Sequence, residues 1–450
     1  MRRYVESVGI SDNLAPMSSV ILTGPGQLRR PVQARLGITA ALLAVVTAGA
    51  LTAVLLKQQV SAVVHASRNG AAVRLSDTEI ADLPADQQEA LLDPLRRLAA
   101  DLDAEGRRAA AASYAGVVIN AATSGVTVYA TGSGGSTLLA AARAADPSAD
   151  WPDVRVSPAS FSKATLDSAA HRIIADPHRS ASVAAVAVDS DGGGLAVEVT
   201  DGSTPALPIV GVPVRLEPGI RRVAKASAWG SVKWHDSTPF IGGDVLTNGH
   251  SYCTAGLPAV LRSNHHPVMI TAAHCFAVGA QVYTGAGAAG VYTGSPGNHV
   301  GTVTSRVNGW DAAIVDGANN NADESDTTYW KPLASAAYSY VGDFVCHDGQ
   351  HSFYLGHPTP CGIKVTNGDL WFPISNYTAR GVEGIDVSTG WGSINGDSGA
   401  TVFAKTGTGL SARGILSAGG ADGTPDQRRV DWTEAPDIFA HYGLMLNPQQ

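Results

Sequence analysis

Asn395-Gly396-Asp397-Ser398-Gly399-Ala400 is the stretch whose reading decides what this chain folds into. Glycines on both sides of a serine permit a tight turn, because glycine adopts backbone angles that other residues avoid. Such a turn exposes the serine hydroxyl and aims the backbone N–H groups of Gly396 and Ser398 at one point. A serine hydroxyl is a poor nucleophile near neutral pH unless a base lies beside it. Two upstream stretches supply what is missing. Thr271-Ala272-Ala273-His274-Cys275 carries an imidazole, and Trp310-Asp311-Ala312-Ala313-Ile314-Val315 opens with a carboxylate. The three groups run in the order His, Asp, Ser, separated by 37 and then 87 residues. In that order His274 is the candidate base, Asp311 the group that fixes its tautomer, and Ser398 the nucleophile. The amides of Gly396 and Ser398 become candidate donors to a developing oxyanion.

The surrounding sequence is a series of short β-like runs broken by glycine. Val268-Met269-Ile270-Thr271, Val300-Gly301-Thr302-Val303, Ala312-Ala313-Ile314-Val315 and Gly414-Ile415-Leu416 are examples. No long amphipathic helix is expected before Pro436 to Leu446. Residues 235–450 therefore read as an all-β domain with a terminal helix. The chain's four cysteines, Cys253, Cys275, Cys346 and Cys361, all lie here. An even number without a C-x-x-C pair favours two disulfides over a zinc site, and disulfides imply an oxidising compartment. The order of the three motifs, and a serine outside the G-x-S-x-G pattern, separate the set from α/β-hydrolases.

Over about residues 240–446 the sequence resembles chymotrypsin-like serine proteases, closest to the bacterial streptogrisin and α-lytic type. The resemblance implies a two-barrel fold and a serine endopeptidase with catalytic His274, Asp311 and Ser398 and an oxyanion hole at Gly396 and Ser398. It also implies the bridges Cys253–Cys275 and Cys346–Cys361. Gly392, Ser417, Ala418 and Gly419 would bind substrate. Trypsin-like pockets carry an aspartate six residues before the nucleophile; Gly392 stands there, so cleavage after an apolar residue is expected rather than after Arg or Lys. Relatives often brace the nucleophile loop with a third disulfide, which this chain lacks. They also often pair an arginine with the Asp of Gly-Asp-Ser-Gly, and His347 stands at that place. A protonated His347 partnering Asp397 is the expectation. No metal or organic cofactor is required by this chemistry. The competing reading is a catalytically silent, membrane-anchored peptide-binding module of the same fold.

Upstream, residues 57–202 read as a small α+β domain of two tandem modules. Ser76-Asp77-Thr78-Glu79 fits a capping box. Asp93-Pro94 reads as a second helix start, with Leu91, Leu95, Leu98 and Leu102 at helical spacing. One hairpin is expected from Gly116 to Ala130 and a second from Val183 to Val199, each preceded by a helix-prone stretch (94–112 and about 160–175). Streptogrisin-like relatives are made with a pro-region of small α/β modules, and this segment is similar in size and pattern. Residues 203–234, Pro-rich and then basic at Arg221, Arg222 and Lys225, read as a linker and processing site.

Leu36 to Leu56 is an uncharged run of 21 residues, preceded by Arg29, Arg30 and Arg35. As a helix it would be about 31 Å long, enough to span a bilayer. It is longer than the apolar core of a cleavable signal. The expectation is a cytoplasmic leader at 1–35 and a transmembrane or signal anchor at 36–56. The catalytic domain would then be extracellular, membrane-held or secreted after processing. The 450 residues are 44% hydrophobic and 16% charged, which excludes wholesale disorder. Residues 235–450 carry 9 basic against 18 acidic side chains, which argues against nucleic acid as a partner. The expected partners are a protein or peptide substrate, the chain's own pro-region and the membrane.

Overall fold

The computed structural model describes residues 74–149, 151, 154–200, 202–225, 236–285, 296–318, 320–326 and 329–447. The expected leader and membrane segment lie outside them. Among the described residues no helix is long and apolar enough to cross a membrane. All described residues belong to one unit, Val60–Gln450.

Ser76 caps the helix Asp77–Ala81 by the expected reciprocal bonds, its hydroxyl accepting from Glu79 N while the Glu79 carboxylate accepts from Ser76 N. The next helix is a single one, Ala85–Ala109, with Pro94 inside it. The helix start expected at Asp93 is therefore corrected. Leu91, Leu92, Leu95, Leu98 and Leu102 form one continuous buried face across the proline. That burial outweighs the backbone bond that proline cannot make. Asp93 instead accepts from Arg96 Nη1 at 2.9 Å. The helix covers a sheet in which Tyr114–Asn120 pairs antiparallel with Gly125–Ala130, and Val154–Pro158 adds in parallel.

The second module repeats this plan. The helix Lys163–Ile174 packs Leu166, Ala169, Ala170 and Ile173 onto the hairpin Val183–Val188 and Leu195–Val199. Val214–Pro218 then adds in parallel. The third strands share a pattern that sequence reading passed over: Val154-Arg155-Val156-Ser157-Pro158 and Val214-Arg215-Leu216-Glu217-Pro218. The segment read as a linker at 203–234 is thus built into the fold over 214–218.

Residues beyond 236 form two β-rich bodies. An eight-stranded sheet runs from Tyr252–Thr254 through Val245–Thr247, Gln281–Gly285, Pro296–Val307, Ala312–Asp316, Pro267–Ala272 and Pro258–Leu261 to Leu444–Leu446. Met269, Val282, Val300, Val303 and Val315 fill its interior. The second body is a closed circuit of six antiparallel strands. Ile363–Ile374 pairs with Phe344–His347, which pairs with Thr401–Thr406 and then Gly409–Gly419. Arg429–Glu434 and Tyr377–Asp386 complete the circuit back to Ile363–Ile374. The terminal helix is shorter than expected, Ala435–Tyr442. Gly443 ends it at φ 66°, and Leu444–Leu446 returns as a strand beside Pro258–Leu261.

The modules are fused to the second barrel by backbone and by buried charge. Val186 and Ala187 pair with Trp371 and Leu370, which makes the second module's sheet continuous with the barrel. Arg96 donates from Nε to Asp343 Oδ1 at 2.8 Å and from Nη2 to Phe344 O at 2.9 Å. Arg222, its side chain fully buried, reaches Glu198 at 2.6 Å, Glu383 at 2.7 Å and Asp431 at 3.0 Å. Burial pushes the Asp431 carboxyl up to about 7, with the Arg222 guanidinium pulling the other way.

Removing one member of a buried ion cluster strands the others. Arg222→Ala should destabilise the intact chain by about 3–5 kcal/mol in urea unfolding, whereas Arg215→Ala, at a half-exposed pair, should cost under about 1 kcal/mol. A pH dependence follows from the raised Asp431. The folded state retains a proton on this carboxyl that the unfolded chain has lost, so stability falls as pH rises from about 4 through about 7. Unfolding midpoints that decline between roughly pH 4 and 7, with a flatter slope in Asp431→Asn, are the expected result.

Candidate active site

Strand pairing brings the histidine and the aspartate together. Thr271 and Ala272 lie opposite Ala313 and Ala312. His274 leaves the end of one strand just where Asp311 enters its neighbour. A short 3-10 turn, Asn308–Trp310, delivers Asp311 in the left-handed region at φ 41°, which aspartate tolerates better than most residues. The Asp311 carboxylate accepts from His274 N at 3.0 Å and lies 2.8 Å from His274 Nδ1. The other ring nitrogen, Nε2, lies 2.7 Å from Ser398 Oγ. Asp311 and Ser398 are fully buried, and the His274 side chain is 3% exposed.

A residue missed in the sequence completes this chain. Tyr377, at the start of a barrel-two strand, donates its hydroxyl to Asp311 Oδ1. Burial and then the Asp311 charge push its phenol far above the ordinary range, which keeps the proton on the donor. No local motif marks Tyr377; only the barrel closure brings it to Asp311, 66 residues away in sequence.

The turn that carries Ser398 is held by hydrogen bonds, with no third disulfide in the chain. Gly396 has φ 107° and Gly399 φ 89°. At Gly399 a Cβ would lie 2.2 Å from Thr271 Oγ1 and 2.5 Å from Thr254 O, so no side chain fits. Gly396 O accepts from Thr254 Oγ1 at 2.9 Å and Gln350 Nε2 at 3.1 Å. Thr254 N donates to Ser398 O at 2.8 Å. The buried Asp397 carboxylate accepts from the backbone of His351, Ser352 and Ile394 at 3.1, 2.9 and 2.9 Å, and from the Ser352 hydroxyl. His347 is not its partner, which corrects the expected pair. Its Nε2 lies 2.6 Å from Gly392 O, and its Nδ1 accepts from Gly349 N at 3.0 Å. Amides at the start of the short helix Gln350–Tyr354 take the place that an arginine would fill.

Both expected disulfides are formed, Cys253–Cys275 and Cys346–Cys361. The first ties the turn after His274 to the strand whose Thr254 braces Ser398.

The cleft is filled by the chain itself. Val223–Ala224 pairs antiparallel with Gly419 and Ala418, two of the residues expected to bind substrate. Lys225 follows, and its carbonyl accepts from both Gly396 N and Ser398 N, the latter at 3.1 Å. These are the two amides assigned from sequence to an oxyanion. The Lys225 side chain is fully buried; its Nζ donates to Gly420 O and lies 2.6 Å from Asp422 Oδ1. Gly419 walls this channel, since a Cβ there would stand 3.1 Å from Lys225 Cε. At Gly392 a Cβ would meet Gln427 O at 2.6 Å. Ser417 is buried and makes no contact of this kind. Neither Lys225 nor Asp422 was assigned to the site from sequence. Their signals are the basic run 221–225 and an aspartate three residues after Gly419.

No protein-family profile matches the chain, and no curated protein matches it. Solved structures are similar over part of it. Nocardiopsis protease aligns with 46% of this chain and 98% of its own, at 23% identity and a TM-score of 0.35. Cellulomonas bogoriensis chymotrypsin aligns with 46% and 97%, at 24% identity and 0.34. Thermobifida fusca protease A aligns with 46% and 97%, at 19% identity and 0.36. The reading of the site rests on its own geometry.

Tyr377→Phe tests that geometry. A hydrogen bond to an ionised group contributes about 1.5–3 kcal/mol. Its loss should slow fluorophosphonate labelling of Ser398 by about ten- to a hundredfold once the chain has been cut after the segment that fills the cleft, with the far-ultraviolet spectrum unchanged.

Proposed function

We propose that this chain is a serine endopeptidase made with an N-terminal pro-region. The observation that carries the reading is the Lys225 carbonyl, which lies on the amides of Gly396 and Ser398 beside the short His274–Ser398 contact. A carbonyl oxygen held by two amides is polarised in the direction in which negative charge develops during attack. In this reading Ser398 Oγ adds to a peptide carbonyl while His274 Nε2 takes its proton. Asp311 keeps the Nδ1 proton in place and stabilises the imidazolium, and Tyr377 holds the carboxylate. The imidazolium then protonates the departing amine, leaving an acyl-enzyme that water hydrolyses by the same route.

Residues 74–225 act as the pro-region. Their last residues run along the strand that would receive substrate, so the intact chain blocks its own cleft. They also offer the edge Val183–Val188 to the second barrel, a scaffold for a slow, non-local β fold. Export follows from the two disulfides, and anchorage from the uncharged run at 36–56.

The test is direct. Ser398→Ala should abolish fluorophosphonate labelling and lower peptide hydrolysis by ~10⁴–10⁶-fold. It should also leave the chain uncut in cells. Labelling or hydrolysis that persists in this variant refutes the proposed nucleophile. A wild-type chain that stays unlabelled even after limited proteolysis within 226–235 has freed the cleft, yet holds peptides, favours the silent binding module.

A further inference from the structure

The buried Lys225 lies in the pocket that would take the residue before a cut bond. We infer that this pocket selects lysine through Asp422, and that the chain's own Lys225–Ala226 bond is its first substrate. This deepens the endopeptidase reading and rests on it.

Three observations converge. The carbonyl of Lys225 is the one presented to the Gly396 and Ser398 amides, so among the described residues this lysine sits in register for attack. The two residues before it pair with Gly419 and Ala418 as an added strand, which fixes that register through main-chain bonds. Its side chain enters a channel that buries it completely and ends at a carboxylate and a carbonyl, Asp422 Oδ1 and Gly420 O. A fully buried ammonium is tolerated only with such partners. Asp422 is itself held in place, its Oδ2 accepting from Asn395 N at 3.1 Å, in the turn that carries Ser398. The length of lysine suits this floor. A leucine or phenylalanine would leave the carboxylate and the Gly420 carbonyl without their donor, at the far end of a channel whose wall is the bare backbone of Gly419.

This replaces the apolar preference expected from Gly392. The aspartate of a trypsin-like pocket is absent from position 392, but the same charge enters from the other wall, three residues beyond the strand that pairs with substrate. The step balances without any redox partner. Ser398 Oγ bonds to Lys225 C, the C–N bond to Ala226 breaks, His274 returns the serine proton to the Ala226 nitrogen, and water releases the Lys225 carboxylate. Arg222, three residues earlier, anchors the same strand on Glu383 and Asp431, so the released end retains an ionic hold on the cleft.

The experiment compares the full chain with Lys225→Leu, Asp422→Asn and the double variant, each followed by mass spectrometry of new N-termini. The incubated wild type is then assayed on peptides that differ only in Lys, Arg, Leu or Phe before the cut. A fragment beginning at Ala226 is expected from the wild type. Each single variant should form it about a hundredfold more slowly, and the double variant should recover part of that rate, because it leaves no unpaired buried charge. The incubated wild type should cut after lysine about a hundredfold faster than after leucine, and Asp422→Asn should erase that ratio. First cleavage elsewhere in 203–234, or an unchanged lysine-to-leucine ratio in Asp422→Asn, overturns the proposal while Ser398 labelling still supports the endopeptidase. If Ser398 takes no label even after limited proteolysis within 226–235 has freed the cleft, the endopeptidase reading falls. The pocket is then judged by equilibrium binding of lysyl and leucyl peptides, and equal affinities sink it as well.

Discussion

Two backbone N–H groups, at Gly396 and Ser398, point into a buried space and must meet an acceptor there. A buried amide without a partner costs about as much as a lost hydrogen bond, and the nucleophile turn is too tight to turn them elsewhere. In the intact chain the acceptor is Lys225 O. That single requirement ties the N-terminal modules to the chemistry. Lys225 must lie over the turn, so residues 223–224 must lie along Gly409–Gly419. The module that ends at Pro218 must then sit against the second barrel.

Beside the apolar packing that joins the modules to the second barrel, the contact that holds them there carries buried charge. Arg96 meets Asp343, Arg222 meets three carboxylates, and Lys163 with Arg380 surrounds Asp369. In each case at least one partner belongs to the modules and one to the barrels. The excess of acid in residues 235–450 gains a use beyond repelling polyanions: several of these carboxylates receive cations from the preceding segment. Ion pairs of this kind cost much to desolvate and gain little over apolar packing, but they impose register. They also lose less than an apolar face when two parts separate into water. The pro-region proposed above would bind in one alignment and later leave, and that balance would serve it.

Much of this was legible in the sequence. The His-Asp-Ser order, the oxyanion amides and both hairpins of the modules depend on local patterns that survive folding unchanged. The chain's own neighbourhood determines them: glycines at 396 and 399, alternating apolar runs at 183–199, a capping box at Ser76. What escaped depends on closure. Tyr377 has no local mark, because its partner Asp311 sits on the other barrel. Asp397 takes backbone amides from a helix of only five residues, a donor set that no side chain announces, and so a histidine at 347 looked like its partner. Pro94 was read as a helix start because the buried leucine face that carries the helix through it is a tertiary fact. Lys225 and Asp422 carry no local mark of their pairing either, because they meet only when the segment before the barrels returns to lie along Gly409–Gly419.

Local and non-local pairings divide the chain in the same way. The second module is built from neighbours in sequence: a helix, a two-stranded hairpin and one added strand, all within residues 163–218. Its contacts close short loops and need little chain entropy to be surrendered before they form. The second barrel closes a ring from Phe344 to Glu434 through pairings that bring distant segments together. Its long hairpin, Ile363–Ile374 with Tyr377–Asp386, is the local piece, and it is this piece that meets the module edge at Leu370 and Trp371. In the proposed templating role, a preformed edge would extend the hairpin to a larger sheet before the remaining strands arrive. The same hairpin carries Tyr377 toward Asp311 and Glu383 toward Arg222. The surface that would template the barrel is thereby joined to the site that the barrel completes.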